Sequence, residues 1–144
     1  MTTIAASVKH RSMASDSKVV VGGTLYYATK IKRLPNGALM GAAGPYEQCA
    51  AMERFIVDGV KPDFGDADLE FQVLVLERSG LVLYTAGIEP IRLLDKVAAI
   101  GSGGDAALAL LRQGYDPEGA VKGAILVDNG SGGAVHVEQL KVQR

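Results

Sequence analysis

The chemistry that this sequence could perform begins at its second residue. The chain starts Met1-Thr2-Thr3, and initiator methionine is usually removed when the next residue is small. Thr2 would then carry a hydroxyl and a free α-amine, whose pKa is ordinarily about 7.7–8.0, so that a useful fraction is neutral at working pH. One residue could therefore supply both the nucleophile and the general base of a hydrolytic reaction.

Such an amine would need two further residues. A nearby lysine would lower the pKa of the amine, because like charges disfavour each other, and an aspartate would have to hold that lysine in place. The start Met-Thr-Thr is common by itself, and it fits an ordinary edge strand equally well. The rest of the chain has to decide between the two interpretations.

Two other polar patterns are weaker candidates for binding sites. The run Gly101–Gly104 follows a predicted strand and could be a phosphate-binding turn, but it lacks the GxGxxG spacing and the lysine of a P-loop. Asp63, Asp66 and Asp68 lie close together, but the glutamate that ends an EF-hand loop is missing. A solvated loop explains the three aspartates, and nucleotide binding is the less favoured function.

The scarcity of cysteine and histidine limits other chemistry. Cys49 is the only cysteine, and His10 and His136 are the only histidines. A packed structural cysteine is the favoured interpretation, and a metal site rich in histidine or cysteine is disfavoured. A Ser-His-Asp triad stays open, although no Gly-x-Ser-x-Gly motif locates one. We therefore predict no metal, and no cofactor for the reaction itself.

Length and composition indicate a single domain over residues 1–144. The chain is 48% hydrophobic and 22% charged, so it can bury a core. Its net charge of -1 and its pI of about 6.1 argue against nucleic-acid binding and against a polybasic membrane surface. The sequence lacks a signal-peptide core, and no apolar run approaches the roughly 18 residues that span a bilayer. The expected location is the cytoplasm.

Alternating apolar residues predict that residues 1–43 form a β-meander. The strand candidates are a half-buried strand that begins at Thr2 and runs to Val8, followed by Ser12–Asp16, Val19–Val21, Leu25–Leu34 and Ala38–Ala43. Gly22-Gly23 and Pro35-Asn36-Gly37 supply turns between them.

The remainder of the chain predicts helices and strands in runs. Tyr46, Cys49, Met52 and Ile56 form one apolar helical face after Gly44-Pro45. The later predictions are a loop at Lys61–Leu69, strands at Glu70–Glu77, Leu81–Ala86 and Lys96–Ser102, helices at Asp105–Gln113 and from Asp116-Pro117 to about Val127, and a last strand at Gly133–Val142. Runs of this kind, rather than strict alternation, indicate an α+β fold.

Segments spread over almost the whole chain resemble one protein family. They are Thr2-Thr3-Ile4, Ser15-Asp16-Ser17, Lys30-Ile31-Lys32-Arg33-Leu34, Gly41-Ala42-Ala43-Gly44, Ala99-Ile100-Gly101-Ser102-Gly103-Gly104 and Asp128-Asn129-Gly130-Ser131-Gly132. In this order they resemble the proteasome β-subunit family, and especially its bacterial HslV type, the peptidase partner of an unfoldase ATPase. Six matches in the family's order make the resemblance specific.

The resemblance implies a fold and the roles of three residues. The family belongs to the N-terminal nucleophile hydrolases, whose two sheets lie between two helix layers in a four-layer αββα sandwich. Thr2 would be the nucleophile, with its α-amine as the proton acceptor. Lys30 would tune the site electrostatically, and Asp16 would orient Lys30.

Four further residues receive roles from the same resemblance. The Gly41 backbone N–H would donate to the oxyanion. Ser102, Asp128 and Ser131 would hydrogen-bond around the amine and the attacking group. Substrate peptides of the family lie as an added strand in the cleft, which suits broad sequence tolerance.

The chain departs from the family in two places. The hairpins Thr2–Asp16 and Asp16–Lys30 each look about two residues shorter than in HslV. Because strand side chains alternate with period two, an even deletion keeps each side chain on its face. Lys61–Leu69 stands where the family has another long helix, so we predict that one helix layer is reduced. That layer makes ring contacts in relatives, so the number of subunits is left open.

The resemblance implies a threonine-type endopeptidase that hydrolyses unfolded polypeptides in a homo-oligomeric ring or double ring. An AAA+ unfoldase would be the candidate partner, and ATP would be used only by that partner. Two alternatives stay open: a catalytically silent ring or scaffold subunit of the same fold, and an N-terminal nucleophile amidase that acts on a small amide. The presence of all the site residues favours the peptidase over the silent subunit.

Overall fold

The computed structural model describes residues 1–141, and these contain eleven strands and three helices. The strands are β1 (Ile4–Ser7), β2 (Ser12–Ser15), β3 (Lys18–Val21), β4 (Thr24–Tyr27), β5 (Ile31–Arg33), β6 (Leu39–Ala43), β7 (Gln72–Glu77), β8 (Gly80–Tyr84), β9 (Ile91–Leu93), β10 (Val97–Ile100) and β11 (His136–Gln139). The helices are α1 (Tyr46–Asp58), α2 (Gly104–Arg112) and α3 (Pro117–Ile125). Strands and helices follow one another in runs, so the predicted α+β class is confirmed.

The first sheet has the antiparallel order β10-β1-β2-β11 and places the start of the chain in its interior. β1 pairs with β10 on one side and with β2 on the other, and all four of its residues are buried. Helices α2 and α3 cover the outer face through small and branched side chains, which are Ala5, Ala14, Ala107, Leu111, Ala120, Val121 and Ala124. Because most of these residues are alanines, the helices can approach the sheet closely.

The second sheet has the antiparallel order β5-β6-β7-β8-β9 and packs face to face on the first. The core between the sheets includes Ile4, Met13, Leu39, Leu74 and Leu76. The outer face is covered by α1, whose Met52 packs with side chains of β6, β7 and β8. The layers are therefore α2 with α3, two sheets, and α1 alone. This confirms the four-layer αββα sandwich with one reduced helix layer.

Helix α1 lies between the signals that the sequence places at its two ends. Pro45 precedes its first turn, and the Gly59 N–H donates to Phe55 O at 2.9 Å in a left-handed turn. Residues 61–69 then contain neither helix nor strand, as predicted. The missing second helix leaves α1 as the whole of its layer.

The strand predicted over Leu25–Leu34 is wrong, because two separate strands occupy this range. Among the strands within residues 1–141, β4 pairs only with β3 in a two-stranded sheet, whereas β5 pairs with β6 in the second sheet. Residues 28–30 carry the chain from one sheet to the other. A continuous apolar pattern shows that residues are extended, but it does not show which neighbours they pair with.

Two smaller differences concern the later strands. β9 is not predicted by the sequence, since its three residues are too few to show an alternating pattern. The last strand spans His136–Gln139, within the predicted range Gly133–Val142, of which residue 142 lies outside the described residues. Within residues 1–141, no helix is both long and apolar enough to cross a membrane.

Candidate active site

Thr2 lies at the start of β1 and is surrounded by polar groups. Met1 is 84% exposed, whereas Thr2 is 7% exposed and Thr3 is fully buried. The Thr2 N–H donates to Ser102 Oγ at 3.2 Å, and the Thr2 hydroxyl accepts from Lys30 Nζ at 3.3 Å. The predicted nucleophile is therefore held between a serine on its nitrogen side and a lysine on its hydroxyl side.

Lys30 makes three hydrogen bonds, one for each proton of its ammonium group. Its Nζ donates to Asp16 Oδ1 at 3.0 Å, to the Met1 carbonyl O at 3.0 Å and to Thr2 Oγ1 at 3.3 Å. The Asp16 side chain is fully buried, and that of Lys30 is 10% exposed. Burial lowers the pKa of Lys30, and the hydrogen bond and charge of Asp16 oppose that shift. The pair places a shielded cation beside the Thr2 hydroxyl.

Asp16 follows β2 directly and is held by backbone groups from two parts of the chain. Its Oδ1 accepts the Thr3 N–H at 3.0 Å, and its Oδ2 accepts the Gly132 N–H at 3.0 Å. Its own N–H donates to Thr3 O at 3.1 Å. Donors to both oxygens offset the cost of burying a carboxylate. Asp16 is thereby fixed in position, and it fixes Lys30 in turn.

A second polar group lies on the nitrogen side of Thr2. Ser102 Oγ and Ser131 Oγ both donate to Asp128 Oδ2, at 2.7 and 2.5 Å. Since Ser131 gives its proton to Asp128, the Thr3 hydroxyl donates to Ser131 Oγ across 2.6 Å. Burial alone raises the pKa of Asp128, but hydrogen bonds from the two serines and a backbone N–H outweigh it, so the pKa lies below its usual range. Asp128 is an anion that orders both serines.

The glycine run after β10 brings its serine against the start of β1. Gly101 has a φ of +92°, and a Cβ on Gly101 or Gly103 would collide with the two threonines. The Gly101 N–H donates to Gln72 Oε1 at 3.0 Å, and the Gly103 N–H donates to Thr2 O at 3.3 Å. Both N–H groups already donate to oxygens of the protein and are not available to a phosphate. The glycine run is therefore better explained by close packing around Ser102 than by phosphate binding.

Gly41 lies in β6, opposite Ile31 of β5 and Leu74 of β7. A Cβ at this position would lie 2.8 Å from Ile4 Cγ2 and 3.1 Å from Ile31 Cγ2. The absence of a side chain therefore lets β6 pack closely on Ile4 of β1, two residues beyond Thr2. Donation of the Gly41 N–H to an oxyanion stays a prediction.

Six of the seven predicted site residues form one hydrogen-bonded network, and their catalytic roles stay predictions. They are Thr2, Asp16, Lys30, Ser102, Asp128 and Ser131. The sequence does not identify Thr3 or Gly132 as part of this network, or Gln72 as the residue that binds the neighbouring Gly101 N–H. The doubled threonine is a signal that could have pointed to Thr3, whereas the other two have no distinguishing pattern.

The arrangement can support hydrolysis by a hydroxyl nucleophile. A buried ammonium lies beside the Thr2 hydroxyl, and hydrogen-bonding groups surround the Thr2 nitrogen, which would become an amine once Met1 is removed. In the described part of the chain, no three histidine, cysteine, aspartate or glutamate residues gather as a metal site requires.

Comparisons with known proteins identify the fold. No family model and no curated protein matches the chain. Among solved structures, the chain is similar to eukaryotic HslV from Trypanosoma brucei, with a TM-score of 0.75 and 22% identity over 94% of this chain and 97% of that one. It is also similar to Thiobacillus denitrificans BPH in complex with epoxomicin, with a TM-score of 0.73 and 17% identity over 97% of this chain and 100% of that one. A second BPH structure gives a TM-score of 0.67 and 19% identity, covering 99% of each chain. The chain therefore has the fold of HslV and of proteasome-like proteins.

Proposed function

We propose that this chain is a threonine-type endopeptidase of the HslV-like, proteasome β-subunit family, with Thr2 as its nucleophile after removal of Met1. The observation that carries this proposal is the Lys30 ammonium, which lies 3.3 Å from Thr2 Oγ1 while the fully buried Asp16 holds it. The Ser102, Asp128 and Ser131 network on the nitrogen side supports the same function.

In the proposed reaction, the Thr2 amine takes the proton of the Thr2 hydroxyl as the oxygen attacks the carbonyl carbon of a peptide bond. The Gly41 N–H stabilises the oxyanion of the tetrahedral intermediate. When the intermediate collapses, the amine group of Thr2 returns the proton to the leaving amine, and an ester remains on Thr2. Water, deprotonated by the same amine, hydrolyses the ester and restores the hydroxyl.

Removal of Met1 would change two groups beside the Thr2 hydroxyl, the Thr2 nitrogen and the Lys30 ammonium. It creates the amine, and it takes away the Met1 carbonyl that accepts one Lys30 proton in the unprocessed chain. The Lys30 charge then lowers the pKa of the amine, since like charges disfavour each other. More of the amine is consequently neutral and able to accept a proton near pH 7.

We also propose that the enzyme works as a homo-oligomeric ring or double ring in the cytoplasm. Apolar side chains of the β3–β4 hairpin are 49–64% exposed, namely Val20, Val21, Leu25, Tyr26 and Tyr27. Exposed apolar patches of this kind mark protein contacts. A closed ring would admit only unfolded polypeptide, for which an AAA+ unfoldase ATPase is the fitting partner.

Two measurements test the assignment of Thr2. Mass spectrometry of the native protein should find that Met1 is absent. Thr2→Ala should abolish the hydrolysis of fluorogenic peptides and also the labelling by an epoxyketone or a boronate, while assembly is unchanged. Epoxomicin, which BPH binds, is a suitable first probe.

The matched control is Thr85→Ala, which removes a half-buried hydroxyl just after β8 and should keep full activity. Complete retention of Met1 in active protein would contradict the assignment of Thr2 as the nucleophile, as would unchanged turnover in Thr2→Ala. A processed, assembled protein that cleaves no peptide and reacts with no probe would instead favour the silent scaffold subunit.

A further inference from the structure

Thr3 lies directly after the proposed nucleophile and contacts both polar groups of the site. Its N–H donates to Asp16 Oδ1 at 3.0 Å, and its carbonyl accepts the Asp16 N–H at 3.1 Å. Its hydroxyl lies 2.6 Å from Ser131 Oγ. The backbone of Thr3 therefore holds the carboxylate that binds Lys30, while its side chain reaches the serine that binds Asp128.

The side chain of Thr3 is enclosed by the protein and cannot touch a substrate. Thr3 is fully buried, and Ser131 is 5% exposed. A Cβ on Gly103 would collide with Thr3 Oγ1 and would lie 3.1 Å from Asp128 Oδ2, so only a glycine leaves room for the hydroxyl here. Any effect of this hydroxyl on the reaction must consequently pass through the residues that it binds.

The hydrogen-bond donors of the network follow one another in a fixed order. Asp128 is an anion, so both of its oxygens accept. Ser131 gives its single hydroxyl proton to Asp128, and the Thr3 hydroxyl must therefore donate to Ser131. From the other side, the Thr2 N–H donates to Ser102 Oγ, and Ser102 donates to the same oxygen of Asp128. Thr3 and Thr2 are thus the outer donors of one chain of hydrogen bonds whose centre is Asp128 Oδ2.

Loss of the Thr3 hydroxyl would change the charge that the Thr2 amine experiences. Successive hydrogen bonds strengthen one another, so Ser131 binds Asp128 more strongly while it accepts from Thr3. Without the Thr3 donor, the Ser131 hydroxyl would offset less of the Asp128 charge. The carboxylate would then favour the ammonium form of the amine, which cannot accept a proton.

We propose that Thr3 is a positioning residue of the reaction, whose hydroxyl orders Ser131 and Asp128 so that the amine of the nucleophile can act as a base. This role rests on the proposed function. The two threonines at the start of the chain thus have different tasks, since Thr2 reacts and Thr3 arranges the groups around the Thr2 nitrogen.

Two substitutions of Thr3 separate its hydroxyl from its methyl group. Thr3→Ser keeps the hydroxyl and should retain most of the activity. Thr3→Ala also loses the hydroxyl and should lower kcat about two- to ten-fold at an unchanged KM, the range that one hydrogen bond typically contributes. The acidic limb of its kcat/KM profile should move to higher pH by about 0.2–0.5 pH units, because Asp128 favours the charged amine. Hydrolysis of a fluorogenic peptide by the processed proteins, measured across pH, reports both effects.

Ser131→Ala tests whether Thr3 acts through this serine. Thr3→Ala should add almost no further loss of kcat in the Ser131→Ala background, since the two residues belong to one chain of hydrogen bonds. Thr3→Val removes the donor and nearly keeps the volume, and it replaces Thr3→Ala if that variant does not fold.

Ser7→Ala is the matched control, because it removes a buried hydroxyl from the opposite end of β1, where Ser7 Oγ lies 3.1 Å from His10 Nδ1. It should change neither kcat nor the pH profile. Wild-type kinetics in Thr3→Ala, equal losses in Thr3→Ser and Thr3→Ala, or additive losses in the double variant would overturn the role of the Thr3 hydroxyl alone, provided that hydrolysis still depends on Thr2. Hydrolysis that is absent from the wild type, or that persists in Thr2→Ala, would overturn the proposed function together with it.

Discussion

At the scale of single residues, Lys30 links Thr2 to the buried Asp16. Its ammonium contacts the hydroxyl of Thr2, an oxygen of the buried Asp16 carboxylate and the carbonyl of Met1. An ammonium is a compact point charge with three donors, and each donor here meets a different residue. The same lysine therefore contributes to the proposed chemistry and to the stability of the fold.

Lys30→Met should lower the free energy of unfolding by about 3 kcal/mol, because it leaves the buried Asp16 carboxylate without its counter-ion. We expect the lower end of the range for a broken buried pair, since backbone N–H groups of Thr3 and Gly132 still bind Asp16. Urea unfolding of both proteins at pH 7 measures the difference.

The control for this variant is Lys32→Met, which breaks a pair whose side chains are 52% and 36% exposed. Exposed pairs contribute less than about 1 kcal/mol, so this variant should unfold almost like the wild type. Similar losses in the two variants would show that burial does not set the value of the Lys30–Asp16 pair.

The sequence predicts the residues that carry charge at the site better than the groups that hold them. Thr2, Asp16 and Lys30 can be identified from the sequence because the resemblance to the proteasome β-subunit family assigns a role to each. Thr3 and Gly132 act through backbone N–H groups, which every residue except proline possesses. Their role depends on where the chain passes a buried carboxylate, and no local pattern records that.

At the scale of elements, the burial of β1 has a consequence for the processing of Met1. Met1 is exposed, but Thr2 is 7% exposed and the following strand is paired on both sides. In the folded protein, an aminopeptidase would have to bind the Met1–Thr2 bond although Thr2 is nearly buried and β1, which follows it, is held in the sheet. We therefore expect removal of Met1 to precede folding.

A preparation that retains Met1 tests this order of events. Methionine aminopeptidase should remove Met1 when the urea-unfolded chain is diluted into buffer that contains the enzyme. It should leave Met1 in place when it is added to the folded protein. Intact-mass measurements over time report both results. Thr2→Ala serves as the control, since its terminus is equally accessible but its site has no hydroxyl. Loss of Met1 from the folded wild type alone, without added enzyme, would show instead that the site processes itself.

The elements themselves are predictable where local sequence decides them. Proline before α1 and glycine after it mark the ends of that helix. The break between β4 and β5 is different, because residues 25–34 are extended on both sides of it and only the pairing partner changes. Partner choice depends on residues that are distant in sequence, so the local pattern alone predicts a single strand.

At the scale of the whole molecule, the reduced helix layer follows from one polar segment. Residues 61–69 lack the apolar spacing of a helix, and the structure leaves α1 alone on its sheet.

The β3–β4 hairpin should be one of the contacts between copies. Val20 and Leu25 lie opposite each other and are 58% and 49% exposed. The double variant Val20→Lys with Leu25→Glu should keep the hairpin, because opposite charges pair across strands, and should reduce the assembled mass in sedimentation experiments. Leu94→Lys, at a 95% exposed position after β9, is the matched control. Unchanged assembly in the double variant would remove the hairpin from the interface.

The strand order of the first sheet determines when during protein synthesis that sheet can be completed. β1 leaves the ribosome first, but its neighbour β10 begins only at Val97, and β11, which completes the sheet, begins at His136. At a translation rate of about 5–20 residues per second, the wait for β10 lasts roughly 5–20 s. During this interval β1 still lacks its β10 neighbour, and Ser102, Asp128 and Ser131 are not yet translated. Under the proposed function, Met1 can thus be removed before the network that would make Thr2 reactive exists.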